Sequence, residues 1–262
     1  MRVLTAAVLL AAFLASLFLL GPQHFQLVVA LIVAVAGYEW MRLCRSGKML
    51  FTAYAGLCVL AYFAVLRSPA VHLASLLVAA AFWMIAVPLW LTRGLRPGAA
   101  NWLPGAGLLV LVPAGVAMAL ISPVQLLQLI GLSIVADSAA YFAGHAFGRR
   151  KLAPAISPGK TWEGAAGGAI GCVIYAIIWA VFDEELRVKV QGEIWIPFLA
   201  GTMVLCALSV VGDLFESALK RRAGVKDSGG LLPGHGGVLD RIDSATAVLP
   251  VGALLLQWLR TA

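Results

Sequence analysis

Apolar residues form a series of long runs along the chain, and short polar segments separate the runs. A transmembrane helix needs roughly 20 mostly apolar residues, and most of the runs have about that length. The pattern predicts an all-α fold, a polytopic membrane bundle of about nine helices, of which the third is short enough to be tilted or re-entrant. The predicted spans are residues 3–20, 25–42, 51–66, 72–91, 104–121, 123–142, 164–182, 194–211 and 244–259.

Composition excludes a water-soluble domain. Hydrophobic residues make up 62% of the 262 positions and charged residues 12%, whereas soluble domains have about 45–50% and about 25%. The four cysteines lie in or beside apolar runs and lack the spacing of a metal site or a disulfide framework. We therefore expect them to be small core residues.

The distribution of Lys and Arg predicts the orientation in the membrane. With the N-terminus in the cytoplasm, all but four of the 19 Lys and Arg residues fall on the cytoplasmic side, as the positive-inside rule requires. We expect the polar loops near residues 143–163 and 220–243 to face the cytoplasm, and the 183–193 segment and the C-terminus to face outward. Because this distribution also explains the net charge of +7, no nucleic-acid partner is expected.

Polar residues are concentrated in the second half of the chain. Residues 1–130 are predicted to form a scaffold of membrane helices, and residues 131–262 to form membrane helices with cytoplasmic catalytic loops. Glu39 is the only acid in the first part. We expect it to be a structural partner of Arg42 or Arg45.

Two predicted helices of the second part contain similar six-residue sequences that end in aspartate, which indicates a parallel internal repeat. Residues 132–137 and 208–213 read LSIVAD and LSVVGD, and each is followed by a basic residue, a Pro-Gly pair and another apolar run. Both helices would run from outside to inside, as a parallel repeat requires. An aspartate inside a membrane helix costs roughly 2.5–3.5 kcal/mol and marks a functional site. The repeat therefore predicts that Asp137 and Asp213 approach one site.

The residues after the second aspartate include the groups that a metal-bound polyphosphate needs. Ser217 and Lys220 follow it at helical spacing. The loop of residues 226–237, which we call the glycine loop, has free amides that can form an anion-binding nest. Asp240 and Asp243 come next, with an arginine between them. Carboxylates can hold Mg²⁺ while cations neutralise phosphate oxygens, so we predict a site for Mg²⁺-bound polyphosphate.

Two stretches of this half resemble the motifs of the phosphatidate cytidylyltransferase (CDP-diacylglycerol synthase) family. One stretch comprises Ser217, Lys220, Arg221, Lys226, Asp227, Pro233, His235, Gly236, Gly237, Asp240, Arg241 and Asp243. The other comprises Asp137, Tyr141, Gly144, Phe147, Gly148, Lys151, Ser157, Pro158, Lys160, Thr161, Trp162, Glu163 and Gly164. The first half of the chain resembles the family only as generic membrane helices.

The resemblance implies a reaction and its partners. CTP and phosphatidic acid would give CDP-diacylglycerol and pyrophosphate in phospholipid biosynthesis, with Mg²⁺ required and a second, monovalent cation left open. The lipid phosphate would attack the α-phosphorus of CTP in line, without a covalent enzyme intermediate. The resemblance also implies a multi-pass protein of the bacterial cytoplasmic (inner) membrane, in contact with membrane lipid, that forms a homodimer.

The resemblance further implies roles for single residues. Asp213 and Asp240 would bind the metal, and Asp243 would bind a second cation or orient the first. The catalytic residues would be Asp243, Lys220, His235 and Arg241, with phosphate donor and general acid both open for His235. The substrate-binding residues would be Ser217, Lys226, Asp227, Gly236, Gly237, Ser157, Lys160 and Asp137.

Two other functions fit some of these features. A transporter of a phosphorylated metabolite or nucleotide would also contain intramembrane acids and a repeat, but it needs its charges near the bilayer midplane. A CTP-dependent lipid kinase would use a similar site and would transfer the γ-phosphate to a lipid alcohol.

Overall fold

The chain folds almost entirely into helices, which confirms the predicted all-α class. The computed structural model describes residues 2–94, 102–232, 234 and 236–261. Over these residues the α-helices are α1 Arg2–Leu19, α2 Pro22–Leu43, α3 Lys48–Leu66, α4 Pro69–Ala81, α5 Val87–Arg93, α6 Leu103–Leu120, α7 Pro123–Phe147, α8 Trp162–Phe182, α9 Glu184–Lys189, α10 Trp195–Ala223 and α11 Leu239–Thr261. A π-helical turn, Phe82–Ala86, joins α4 to α5, and a 3₁₀ turn, Gly192–Ile194, precedes α10.

Eight helices in the described part of the chain are long and apolar enough to cross a membrane. They are α2, α3, the continuous helix Pro69–Arg93, α6, α7, α8, α10 with its preceding turn, and α11. The first predicted span corresponds to α1, whose apolar stretch Ala7–Leu19 is shorter than those eight helices. The third is longer than the sequence pattern indicated, because α3 has 19 residues. A tilted or re-entrant segment is therefore not needed there.

Two of the membrane helices continue past the ends predicted from hydropathy. Helix α7 runs on to Phe147 and α10 to Ala223, so the polar residues after Asp213 are still helical. Helix α10 keeps a buried face through this extension. It ends at Gly224, whose φ of 68° suits glycine and whose N–H donates to the carbonyls of Lys220 and Arg221. Asp213, Ser217 and Lys220 therefore all lie on one continuous helix.

An aromatic cluster joins the two halves of the chain in one core. The ring of Phe215 on α10 lies 5.6 Å from Trp83 and about 6 Å from Trp40, Phe82 and Trp90, measured between ring centroids. Phe215 and Trp83 are almost fully buried. The boundary near residue 130 stays a prediction, but the predicted scaffold directly packs against the helix that carries Asp213.

Helices α7 and α8 touch through small residues. A Cβ added to Gly164 would lie 2.8 Å from the Ala140 carbonyl oxygen, and one added to Gly168 would lie 2.9 Å from that of Ala136. Such contacts allow the backbones of membrane helices to approach closely. The two helices are joined by an antiparallel hairpin, β1 Lys151–Ala153 and β2 Ser157–Thr161, that the sequence pattern did not predict.

The polar loops meet at one end of the bundle, where α2, α7 and α10 finish and α8 and α11 begin. Arg45, which has a φ of 58°, donates from Nε to the carbonyl oxygen of Ala223 at 3.3 Å. Arg221 donates from Nε to the carbonyl oxygen of Ile156 in the hairpin at 3.4 Å. The end of α10 is thus tied both to the loop after α2 and to the hairpin after α7.

The cysteines are free, as expected. Cys58, Cys172 and Cys206 are buried, and Cys44 is half-buried between α2 and α3. Burial raises the pKa of the Cys44 thiol to about 11, so very little reactive thiolate forms there at neutral pH.

Candidate active site

A polar cavity of about 660 Å³ opens at this end of the bundle. Four carboxylates line it: Asp137 on α7, Asp213 on α10, and Asp240 and Asp243 on α11. The hairpin adds Lys160 and other polar groups to the wall. We call this space the acidic cavity. It brings both acids of the predicted repeat together with both acids of α11, although the repeat itself stays a prediction.

Asp213 is paired with a lysine from the hairpin. The Nζ of Lys160 lies 2.6 Å from Asp213 Oδ2, and Ser217 donates its hydroxyl to Asp213 Oδ1 at 3.2 Å. Asp213 and Ser217 therefore share one face of α10, as the helical spacing predicted. Both side chains line the cavity and keep about a quarter of their surface exposed, although the Lys160 Nζ itself is buried against Asp213.

The hairpin that carries this lysine is fixed to the first turn of α8. The hydroxyl oxygen of Thr161 accepts a hydrogen bond from the Gly164 N–H at 3.0 Å, which caps the helix. The carboxylate of Glu163 accepts from the backbone N–H groups of Arg149 and Arg150 at 3.0 and 3.1 Å. These bonds hold the hairpin, and with it Lys160, against the start of α8.

Asp240 is mostly buried and anchors the glycine loop. Its Oδ1 lies 2.7 Å from Lys220 Nζ. Its Oδ2 accepts from the Ser228 N–H at 3.0 Å, the Ser228 hydroxyl at 2.9 Å and the Gly237 N–H at 2.7 Å. Since Oδ2 already has three donors, only Oδ1 has room for a further partner.

A buried glutamate that the sequence analysis missed completes this network. Glu216 is only 3% exposed, and its carboxylate forms an ion pair with Lys220 one helical turn later. Lys220 therefore lies between Glu216 and Asp240 rather than next to Asp213. The four-residue spacing of Glu216 and Lys220 was the available signal, since such pairs face each other on a helix.

Among the described residues, neither Asp243 nor Asp137 forms an ion pair with a lysine. Asp243 accepts a hydrogen bond from the Ser244 N–H at 2.8 Å. Asp213 and Asp137 both repel its negative charge, and Lys220 attracts it. Around the cavity, carboxylates outnumber the ammonium groups that line it, so the site favours an added cation.

The donor set suits Mg²⁺. Within the described residues, no three His, Cys, Asp or Glu side chains are close enough together to form a complete metal cage. Mg²⁺ does not need one, because it usually binds through one or two carboxylates, several waters and substrate phosphates. Converging carboxylates with excess negative charge therefore fit that metal, and Asp213 and Asp240 both face the space in which it would lie.

The remaining predicted residues lie at different places around the site. Ser157 and Lys160 line the acidic cavity with the aspartates. Lys226, Asp227 and Arg241 are exposed at the same end of the bundle and are not among the described residues of the lining. Gly236 and Gly237 lie beside Asp240, and His235 lies outside the described residues. The roles given to all of these residues stay predictions.

Comparison with known proteins identifies the family. The model of the cytidylyltransferase family matches residues 1–259. The chain belongs to this family. The chain is similar to a phosphatidate cytidylyltransferase of Pseudomonas aeruginosa, which is 39% identical over 97% of this chain and 96% of its own length. The enzyme of the same name from Haemophilus influenzae is 36% identical over 95% of both chains, and that of Thermotoga maritima is 46% identical over 47% of this chain and 45% of its own length.

One expectation about the first half of this family member is wrong. Glu39 does not pair with Arg42 or Arg45 in the described part of the chain. Its carboxylate instead accepts hydrogen bonds from Ser228 in the glycine loop and from the N-terminal end of α11. No local pattern could have shown this, because the partners lie about 190 to 200 positions away.

Proposed function

We propose that this chain transfers a cytidylyl group from CTP to phosphatidic acid, which gives CDP-diacylglycerol and pyrophosphate. The observation that carries the proposal is the alignment with the Pseudomonas aeruginosa phosphatidate cytidylyltransferase, which spans almost all of both chains. The acidic cavity supports it, because carboxylates and lysines meet at the end of a membrane bundle, where a soluble nucleotide and a lipid phosphate can both arrive.

The reaction forms one P–O bond and breaks another. An oxygen of the lipid phosphate attacks the α-phosphorus of CTP, and the bond from that phosphorus to the oxygen bridging to the β-phosphate breaks, so pyrophosphate leaves with the electron pair. Attacking group and nucleotide are both anionic, so catalysis consists mainly of positioning and of charge neutralisation. Lys160 and Lys151 at the cavity wall are placed to contact phosphate oxygens.

We assign the Mg²⁺ of this reaction to Asp213 and Asp240, with Asp243 as a further acid for a second cation or for orienting the first. Mg²⁺, when bound, supplies charge neutralisation for the triphosphate and the leaving pyrophosphate. Asp240 offers Oδ1, and Asp213 offers the oxygen that faces Lys160. Lys220 holds Asp240 in place through the buried pair.

The proposal also includes the setting of the enzyme. The acidic cavity would lie on the cytoplasmic side of a bacterial inner membrane. The distribution of Lys and Arg supports this orientation. A homodimer is part of the same proposal and rests on the resemblance to the family.

The test is product analysis with CTP that carries label on the α-phosphate. Purified protein in detergent, supplied with phosphatidic acid and Mg²⁺, should move the label into a lipid that co-migrates with CDP-diacylglycerol. Label retained in CDP would indicate the lipid kinase instead. If the labelled CTP stayed intact in this assay and proteoliposomes containing the protein took up phosphorylated metabolites, the protein would be a transporter.

A further inference from the structure

A single glutamate from the predicted scaffold reaches into the polar end of the bundle. Glu39 lies near the end of α2 and is only 3% exposed. Its Oε1 accepts from the Val238 N–H at 3.1 Å. Its Oε2 accepts from the Leu239 N–H at 2.8 Å and from the Ser228 hydroxyl at 3.1 Å. All of these donors belong to the glycine loop or to the first residues that follow it.

Two glycines of the loop leave the space that this carboxylate fills. A Cβ added to Gly229 would lie 2.8 Å from Glu39 Cδ, and a Cβ added to Gly237 would lie 2.5 Å from Glu39 Oε1. Both distances are too short for real contacts. Gly230, in contrast, has no atom within 4 Å of an added Cβ. The glycines at 229 and 237 are therefore needed for the close approach of Glu39.

The carboxylates of Glu39 and Asp240 hold the same loop residues. The Ser228 hydroxyl has one proton, which is shared between Glu39 Oε2 at 3.1 Å and Asp240 Oδ2 at 2.9 Å. Gly237, which makes room for Glu39, donates its N–H to Asp240 at 2.7 Å. Asp240 in turn holds Lys220. A displacement of Glu39 would therefore reach a carboxylate that lines the acidic cavity.

We infer that Glu39 is a positioning residue for the nucleotide site. It fixes the glycine loop and the start of α11, so that Asp240 and Lys220 are already in place when the polyphosphate binds. This inference rests on the proposed function for its catalytic part. Glu39 itself does not line the acidic cavity, and it acts through the loop.

The first test replaces Glu39 without changing its shape. Glu39→Gln puts an NH₂ group against donors that need acceptors, so at least one charge-assisted hydrogen bond is lost, and we expect a loss of kcat/KM for CTP of up to about 10- to 150-fold. We expect KM for phosphatidic acid to change little. Arg42→Gln is the matched control on the same helix, because Arg42 is exposed. It should leave the kinetics unchanged.

The second test does not need turnover. Hydrogen–deuterium exchange of the intact protein should show faster exchange in residues 226–239 of Glu39→Gln, with α3 and α8 unchanged. Gly229→Ala should give the same local pattern, whereas Gly230→Ala should not. If the wild-type protein showed no cytidylyl transfer, the proposed function would be refuted. The exchange experiment would still test whether Glu39 holds the glycine loop in place.

Three results would overturn the inference. One is a Glu39→Gln variant with kcat/KM for CTP within about twofold of wild type. Another is faster exchange spread over the whole bundle, which would make Glu39 a general stability residue. If Glu39→Gln fails to fold, Gly229→Ala and Ser228→Ala replace it in the exchange experiment. The third result is unchanged loop exchange in both of these variants, which would show that Glu39 does not hold the loop.

Discussion

The two predicted metal ligands should respond differently to the same substitution. Asp213→Asn and Asp240→Asn both remove a carboxylate from the acidic cavity, so we expect both to abolish turnover and Mg²⁺-dependent CTP binding. Only Asp240 is also an anchor, with Lys220 on one oxygen and three donors from the glycine loop on the other. We therefore expect Asp240→Asn to destabilise the fold clearly more than Asp213→Asn does.

The size of the difference follows from burial. An Asn at 240 must turn its NH₂ group either to Lys220 or to the loop donors, and the loss of a hydrogen bond to a charged group costs about 1.5–3 kcal/mol. The Asp213 pair is partly exposed, and pairs at exposed sites contribute about 0.2–1 kcal/mol. At about 2–4 °C per kcal/mol, Tm should fall by about 3–12 °C for Asp240→Asn and by less than about 4 °C for Asp213→Asn.

Thermal unfolding in detergent, followed by tryptophan fluorescence, measures the difference, and CTP binding is measured on the same samples. Asp227→Asn, at an exposed position of the same loop, is the control for stability. If Asp240→Asn melted no lower than Asp213→Asn, its bonds to the loop would not contribute to the fold as argued. Near-normal turnover in either variant at ordinary Mg²⁺ would remove that residue from the metal site.

Three further predictions test the cations, the orientation and the metal. Arg241→Lys should insert normally and lose about 10- to 150-fold in kcat/KM, because the point charge of a lysine cannot replace a guanidinium fork. Arg93→Lys should leave kcat/KM unchanged. Equal kinetics for the two variants would mean that Arg241 only helps to orient the protein in the membrane. In sealed right-side-out vesicles of a cysteine-free variant, an impermeant maleimide should label Gln191→Cys and not Leu231→Cys, and the opposite pattern would refute the topology. Chelation by EDTA should stop cytidylyl transfer and added Mg²⁺ should restore it; turnover that survives chelation would exclude the metal.

Local patterns predicted the membrane helices and the grouping of the acids. Apolar runs of spanning length have few alternatives in a bilayer, so the spans follow from hydropathy alone. The related ends of α7 and α10 placed Asp137 and Asp213 at one site, and the acidic cavity contains both. The helical spacing of Ser217 and Lys220 correctly carried α10 past Asp213, whereas the continuation of α7 to Phe147 was missed, because hydropathy marks where a membrane ends and not where a helix does.

Pairings between distant segments could not be predicted. The sequence spacing placed Lys220 on the same helix face as Asp213 but did not show its partners, which are Glu216 and Asp240. Lys160 was assigned to substrate by resemblance, and its ion pair with Asp213 depends on a hairpin that has no alternating pattern. Glu39 was given a local partner because nothing in one sequence reports a contact across about 190 residues.

The contacts of Glu39, Arg45 and Phe215 bear on how much of the chain can be removed without loss of activity. The residues with chemical roles all come from the second half of the chain, which suggests a compact catalytic fragment. However, that half relies on Glu39 to hold its glycine loop, on Arg45 to cap α10, and on Trp40, among other rings, to surround Phe215. A fragment that begins at α7 would therefore keep the reactive groups and lose the framework that orders them. We expect the smallest active unit to include α2 and the loop that follows it.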